Sequence, residues 1–165
     1  MSQGERYLPA SDFLCMILNE EVPLTGSEFA EKNVQRLIEF TRDKDTSNRD
    51  WATLFLVELA GYDGLVRPDI LAALLTAAED VDQNVRSEAI LGLAKLKHEK
   101  ALSLVGLELK KVNASMPIFE AAELLADPTL VNDLEDFQDE SDEPFVDEAA
   151  RRALEACRKH NGRAK

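Results

Sequence analysis

The chain has few of the residues from which most catalytic and metal sites are built. Its 165 residues include two cysteines, Cys15 and Cys157, and two histidines, His98 and His160. Because the cysteines stand far apart and neither belongs to a Cys-x-x-Cys motif, the pattern predicts two reduced thiols in a cytoplasmic protein. A long-range disulfide between them is the alternative. No catalytic constellation is recognisable, so we expect neither an enzyme nor a bound cofactor or metal.

Long apolar runs are also missing. The longest uncharged apolar stretch covers residues 70–78, whereas a helix that crosses a bilayer needs about 20 apolar residues. Residues 1–10 contain Glu5 and Arg6 and lack the apolar region of a secretory signal peptide. The sequence therefore predicts a protein without a membrane span, located in the cytoplasm.

Positive charge is absent from residues 112–150, which contain no lysine or arginine but twelve of the chain's 32 acidic residues. The rest of the chain holds 20 acids and 19 bases, so nearly all of the net charge of −13 comes from this segment. The negative electrostatic field of such a segment repels nucleic acid and anionic lipid, and it attracts basic protein surfaces. We therefore expect a protein partner with a basic surface, and no binding to nucleic acid or membranes.

Strand signals are nearly absent, whereas helical periodicity runs through most of the chain. No segment alternates apolar and polar side chains over a strand's length. Apolar spacing, caps and prolines predict about nine helices in one domain that covers residues 1–165. Ser11 is expected to cap the first helix, and Gly61 is expected to end the third. The helices pair as hairpins at about 11–42, 47–79, 84–112 and 117–138, and a capping helix follows at 144–159.

An internal repeat supports this arrangement. One set of residues has the spacing of another set 37 positions earlier: Asp80, Asp82, Arg86, Ala89 and Leu93 match Asp43, Asp45, Arg49, Ala52 and Leu56. A repeat of this length indicates a stacked solenoid. We expect each aspartate pair to cap the next helix, each alanine to allow close helix approach, and each arginine to bridge to a turn aspartate of the next unit.

These motifs resemble the HEAT family, in particular the short HEAT-like repeats named after phycobilisome lyases. The copy that begins at Asp80 matches fully, and the copy that begins at Asp43 departs at Asn48, where an apolar residue is usual. Later units, at Ile118 and Val146, lack the arginine. The resemblance covers most of residues 28–157 and implies an all-α right-handed superhelix, an α-solenoid of HEAT-like helical hairpins. Such repeats serve scaffolds, inhibitors and enzymes, so fold alone leaves function open.

Two kinds of HEAT-like enzyme can be compared with this chain. HEAT-like iron hydroxylases carry His-Glu pairs at the start of repeat helices, but here Ser87 occupies the histidine position and the one His-Glu pair, His98–Glu99, falls in a turn. HEAT-like DNA glycosylases imply a basic face with interleaved aromatic residues, and the basic cluster between Lys95 and Lys111 contains no aromatic residue. Neither resemblance is supported by the residues present.

The acidic segment is the predicted partner-binding surface. In the eighth helix, Leu130, Leu134 and Phe137 mark the buried stripe, and the acids fall opposite. The alternatives are a solubilising face and a cation site, although acids on helices do not form a calcium loop. Trp51 either packs on the second helix of its hairpin or serves as an exposed aromatic anchor. The residues predicted to contact the partner are Asp133, Asp136, Asp139, Glu140, Asp142 and Glu143, with Glu120 and Glu123 nearby and Trp51 as the anchor.

A small, strongly acidic HEAT-like chain is similar to bacterial immunity proteins, which neutralise a cationic toxin. This resemblance implies a non-enzymatic inhibitor, monomeric when free, that occludes the active surface of a basic partner such as a toxin domain. One alternative is an enzyme or enzyme subunit that resembles the phycobilin lyases, for which Cys157 is the candidate reactive group. The other is a general HEAT assembly scaffold that binds through an apolar concave face.

Overall fold

Helices account for the regular secondary structure of this protein. The computed structural model describes residues 7–62, 67–139 and 141–161, and these ranges contain no β-strand. None of the described helices is long and apolar enough to cross a membrane. The helices are α1 (Asp12–Leu18), α2 (Ala30–Phe40), α3 (Thr46–Tyr62), α4 (Pro68–Ala77), α5 (Gln83–Lys95), α6 (Ala101–Leu109), α7 (Met116–Leu125), α8 (Val131–Glu135) and α9 (Pro144–Asn161), with a 3-10 turn at Pro128–Leu130 before α8.

The helices form two layers. Each odd-numbered helix packs against the next odd-numbered helix, from α1 to α9, and the even-numbered helices lie on the other side of this row. Contacts are most extensive between α3 and α5, α5 and α7, and α7 and α9. The odd-numbered helices pack against one another more extensively than the even-numbered ones do, and we name the side of this row that faces away from the even-numbered helices the inner face. The predicted all-α solenoid of helical hairpins is confirmed.

The repeated aspartates explain where α3 and α5 begin. The second aspartate of each copy, Asp45 or Asp82, accepts hydrogen bonds from two backbone N–H groups at the start of its helix, at 2.9 and 3.2 Å in the first copy and 2.9 and 3.3 Å in the second. The first aspartate, Asp43 or Asp80, accepts a hydrogen bond of 2.8 Å from the backbone N–H of the second. The predicted capping role is confirmed for Asp45 and Asp82, whereas Asp43 and Asp80 hold the backbone of the capping residues in place.

The predicted arginine bridge is present in one of the two copies. Arg49 donates from Nε to Asp80 Oδ2 at 2.8 Å and from Nη2 to Asp80 Oδ1 at 3.1 Å, which joins the first copy to the second. Arg86 instead donates from Nε to Glu108 on α6 at 3.1 Å. The prediction for Arg86 is therefore wrong, because the turn that follows α6 contains no aspartate to receive it.

Asn48, the departure from the repeat pattern, has a structural reason. Its Oδ1 accepts a hydrogen bond of 2.8 Å from the backbone N–H of Ser11, and its Nδ2 lies 3.3 Å from Asp43 Oδ1. An apolar residue would leave the Ser11 N–H without this partner. Asn48 therefore ties the start of α1 to the start of α3. Ser11 occupies the N-cap position of α1, but its side chain makes no capping hydrogen bond, contrary to expectation.

Two other predicted boundaries differ from the structure. Gly61 does not end the third helix, which continues through Tyr62. The eighth helix, expected from Pro128 to about residue 138, is a 3-10 turn followed by the short α8. The Asp127 side chain accepts a hydrogen bond of 2.9 Å from the backbone N–H of Thr129, and the Asp127 carbonyl oxygen accepts one of 3.1 Å from the backbone N–H of Leu130, which is the bonding pattern of a 3-10 turn.

Gly92 permits the close approach of α5 to α3 and α4. A Cβ atom at this position would lie 2.6 Å from Val57 Cγ2 and 3.1 Å from Leu74 Cδ1. We expect Gly92→Ala to lower the free energy of unfolding by about 1–2 kcal/mol, because overpacking outweighs the better helix propensity of alanine. Gly106→Ala is the matched control, since the nearest atom there, Leu130 Cδ2, is 3.8 Å away. It should be neutral or stabilise by up to about 1 kcal/mol in urea denaturation; equal effects at both positions would contradict the close approach.

Candidate functional site

A cleft opens at the edge of the stack where even-numbered helices pass into odd-numbered ones. It has a volume of about 760 Å³ and lies between the α6–α7 connection and the α8–α9 connection. Gln83 at the start of α5 donates from Nε2 to the Asn113 carbonyl, which fixes the α6–α7 connection as one wall. Clefts of this volume are large enough to hold ligands or peptide side chains.

Aromatic and aliphatic side chains line much of this cleft. Phe119 and Phe137 meet edge to face, with ring centroids 5.1 Å apart, and pack into the core beneath it. Val112, Met116 and Phe145 stand at its surface with exposed fractions of 92%, 39% and 81%. Large apolar side chains this exposed and this close together are characteristic of interaction sites.

Acidic side chains from the predicted segment line the same cleft. Asp136 and Asp139 follow α8, Glu143 precedes α9, and Asp147 lies in the first turn of α9. In the part of the chain that the structure describes, none of the ion pairs involves Asp136, Asp139 or Glu143. These three carboxylates therefore place uncompensated negative charge beside the apolar surface.

Asp147 holds the α8–α9 connection in shape. Its two carboxylate oxygens accept hydrogen bonds from the Ser141 hydroxyl at 2.7 Å and the Ser141 backbone N–H at 3.0 Å. These bonds, the hydroxyl one first, lower the pKa of Asp147 below its ordinary value. The Ser141 hydroxyl oxygen also accepts from the Glu143 N–H at 3.1 Å. Asp147 thus positions the loop, whereas the three other carboxylates remain available to a partner.

The remaining predicted acids that the structure describes do not line this cleft. Asp133 is half-buried in the first turn of α8 and Asp142 is exposed in the α8–α9 connection, but neither lines the cleft. Glu140 lies outside the described residues. Glu123 accepts from Arg152 Nε at 3.1 Å, and the same arginine lies in the electrostatic surroundings of Glu120. The structure therefore places Glu120 and Glu123 away from the cleft and beside a neutralising base.

Trp51 lies on α3, in the odd layer, and its ring contacts two other aromatic side chains. Its ring stacks on Tyr7, with centroids 6.2 Å apart, and tilts against Phe55 at 5.6 Å. The indole Nε1 is buried and makes no hydrogen bond within the described part of the chain. Burial, with help from the neighbouring Asp50, raises the pKa of Tyr7 to about 12. Tyr7 therefore covers one side of the Trp51 ring, and Trp51 is half-buried.

Glu88 marks a second, weaker concentration of acids on the odd layer. Burial raises the pKa of this carboxyl to about 7; Lys95 opposes the shift, and the charges of Asp50, Glu120 and Glu58 add to it. These acids belong to α3, α5 and α7, so they cross the inner face of the stack. Lys95 and Arg152 lie among them. The inner face is therefore of mixed charge, unlike the cleft.

The raised pKa of Glu88 gives a prediction about stability. The folded state holds this proton more tightly than the unfolded chain, so folding stability falls as the pH rises from about 4.5 to about 7. Because burial is incomplete, we expect Glu88→Gln to raise the free energy of unfolding at pH 8 by about 1–2 kcal/mol, and the gain to vanish towards pH 4. Glu58→Gln, exposed on the same face, is the control. If urea denaturation showed that Glu88→Gln changes the free energy of unfolding equally at pH 4 and pH 8, the raised pKa of Glu88 in the folded state would be contradicted.

The Cys157 thiol lies in surroundings that disfavour nucleophilic chemistry. Both cysteines are free, and Cys157 is buried with its thiol 3.6 Å from the Ala122 carbonyl oxygen. Burial raises the pKa of Cys157 to about 11, so the thiolate that a nucleophile requires is disfavoured. Ser87 is fully buried. Among the described residues, no three side chains of the ligating types converge on a point where a metal ion could bind.

The apolar half of the cleft was not predicted from the sequence. Val112, Met116 and Phe145 belong to connections and helix starts, where single apolar residues carry no periodic signal. The signal in the sequence was Phe145 itself, which precedes Val146 of the last repeat copy and occupies a position that corresponds to the exposed Asn84 of α5. An aromatic residue at a solvent-facing repeat position indicates a contact surface.

Two layers of short helices, repeated capping aspartates and an arginine link between repeats define an all-helical repeat protein of the HEAT-like fold. The chain is similar to Protein YibA of Escherichia coli, with 36% identity over 95 residues in both strain K12 and O157:H7. This match covers 58% of the present chain and 32% of the relative, so the chain spans about a third of the curated relatives it matches.

The solved structures agree with this relationship. An X-ray structure of YibA from Escherichia coli matches the present fold with a TM-score of 0.56 and 26% sequence identity, over 86% of this chain and 54% of that chain. No protein-family model matches the sequence. The likeness to YibA supports homology and a shared helical-repeat fold, and function has to be argued from the cleft.

Proposed function

We propose that this chain is a non-enzymatic protein-binding module that captures a basic protein at the acidic cleft. The observation that carries the proposal is a contrast between two groups of acids. The carboxylates of Asp43, Asp45, Asp80 and Asp82 accept hydrogen bonds from backbone N–H groups near the starts of α3 and α5, and Asp80 also pairs with Arg49. The carboxylates of Asp136, Asp139 and Glu143 make none of the hydrogen bonds or ion pairs found within the described part of the chain, although their mutual repulsion costs stability.

The mechanism of capture is electrostatic attraction followed by occlusion. The twelve acids of residues 112–150 create a negative field that accelerates the approach of a basic surface. The carboxylates then take positions that phosphates would occupy on a nucleic-acid-binding partner, so the partner's active surface is covered. A bacterial immunity protein that neutralises a basic toxin domain in the cytoplasm, and is monomeric when free, fits this chemistry.

The scaffold alternative would use the inner face of the odd layer instead. That face carries Trp51, but Tyr7 covers one side of the ring, and Arg152 and Lys95 neutralise part of the acidic row. An enzyme that handles a prosthetic group would need a reactive side chain, and Cys157 is buried with a raised pKa. The cleft therefore supports capture of a basic protein better than either alternative.

The test of the proposed function is the binding of a nona-arginine peptide to the full chain, measured by calorimetry at several NaCl concentrations. We expect the dissociation constant to rise with salt, and to rise further when charge is reversed at the cleft by Asp136→Lys and Asp139→Lys. Nona-glutamate is the control peptide and should not bind. Affinity that is indifferent both to salt and to charge reversal would reduce the segment to a solubilising face.

A further inference from the structure

The cleft has an acidic part and an apolar part. A surface that attracted its partner by charge alone would need only the acidic part. The carboxylates of Asp136, Asp139 and Glu143 lie at the same cleft as the exposed side chains of Val112 and Phe145. An exposed aromatic ring lowers solubility unless something covers it. The apolar part therefore favours an occupant with an apolar side chain, and the acids favour an occupant that carries positive charge.

We propose that the cleft binds an extended segment of the basic partner in which one aliphatic side chain is flanked by arginine or lysine residues. The aliphatic side chain lies against Met116 and Phe145, and the flanking cations pair with Asp136, Asp139 and Glu143. This inference rests on the proposed function and adds to it the chemistry of the bound segment. Charge complementarity selects a basic chain, and the apolar wall selects the side chain between its bases.

Other occupants fit the cleft less well. An anionic lipid surface would be repelled by the carboxylates that line it. A divalent cation would need converging ligands, which the described residues do not provide. A purely apolar helix would bury Asp136, Asp139 and Glu143 without counter-charges, at a high desolvation cost. The basic segment with an aliphatic anchor is the occupant that satisfies both parts of the cleft.

The test compares two peptides that differ in the anchor alone. The first has four arginines on each side of a central leucine, and the second has serine in place of the leucine. We expect the full chain to bind the leucine peptide about tenfold more tightly in calorimetry, since a buried leucine contributes about this much or more to binding. The preference should disappear in the double variant Met116→Ser, Phe145→Ser, while binding of the serine peptide is retained.

Leu107→Ser is the matched control, because Leu107 is 60% exposed on α6 and does not line the cleft. It should keep the tenfold preference. Equal affinity of the unmodified chain for both peptides would contradict the proposed aliphatic anchor, but it would not contradict the proposed capture of basic partners. Failure to bind either peptide would overturn the proposed function as well. Since Phe145 is 81% exposed, its substitution is expected to leave the thermal unfolding midpoint nearly unchanged.

Discussion

Replacement of Arg49 by alanine is expected to lower the free energy of unfolding by about 3 kcal/mol. The Arg49 and Asp80 side chains are only 13% and 11% exposed, and the two hydrogen bonds between them measure 2.8 and 3.1 Å. The same guanidinium donates to the Asp43 and Lys44 carbonyl oxygens at 3.1 and 3.3 Å. Its removal leaves Asp80 charged, largely buried and deprived of its main counter-charge. Urea denaturation measures the effect.

A matched control separates this buried link from an exposed one. Arg67 also joins neighbouring helical pairs, by an ion pair to Glu31, but these side chains are 32% and 63% exposed. Arg67→Ala should therefore cost at most about 1 kcal/mol. A double-mutant cycle between Arg49→Ala and Asp80→Ala should show coupling of about 1.5–3 kcal/mol. Additive effects would show that the arginine link does not join the repeats energetically.

Neutralisation of the cleft acids is the second large expected effect. We expect the triple variant Asp136→Asn, Asp139→Asn, Glu143→Gln to bind the leucine-centred arginine peptide at least about tenfold more weakly, because three partly desolvated ion pairs are lost at about 0.5–1 kcal/mol each. Most of the loss should appear in the association rate, since these charges lie at the margin of the contact. Stopped-flow fluorescence of a labelled peptide measures both rates.

The control for this variant removes the same charge elsewhere. Glu21, Glu28 and Glu39 are exposed at the α1–α2 end of the stack and do not line the cleft. Their triple replacement by glutamine changes the net charge equally, so it should weaken binding less than about threefold at physiological salt, where charges beyond about 8 Å are screened. Equal losses in both triple variants would show that net charge, and not the cleft, attracts the peptide.

The sequence predicted the parts of the fold that depend on neighbouring residues. A capping aspartate bonds to N–H groups two and three residues ahead, so Asp45 and Asp82 could be identified from spacing alone. The link from Arg49 to Asp80 could be predicted from the 37-residue repeat. Because adjacent units stack side by side, the arginine of one unit lies close to the turn aspartate of the next. Local hydrogen bonding and regular stacking are properties that a single sequence records directly.

The candidate site could be predicted only in part, because it depends on which connections meet. The acids were evident from composition, but their separation into cleft residues such as Asp136 and inner-face residues such as Glu123 depends on helix packing. Met116 and Phe145, 29 positions apart in the sequence, are brought to one cleft by the stacking of α7 and α9. Asn48 and Arg86 departed from expectation for the same reason, since their partners Ser11 and Glu108 lie outside the repeat pattern.

The central claim is that the cleft, rather than the acidic surface in general or the inner face, holds a basic partner. Amide hydrogen exchange of the full chain with and without the leucine-centred arginine peptide tests this most directly. We predict slower exchange on binding in residues 112–119 and 141–147, and no change in α2. Slower exchange confined to the inner face around Trp51 and Glu88, or spread evenly over the acidic residues, would contradict it.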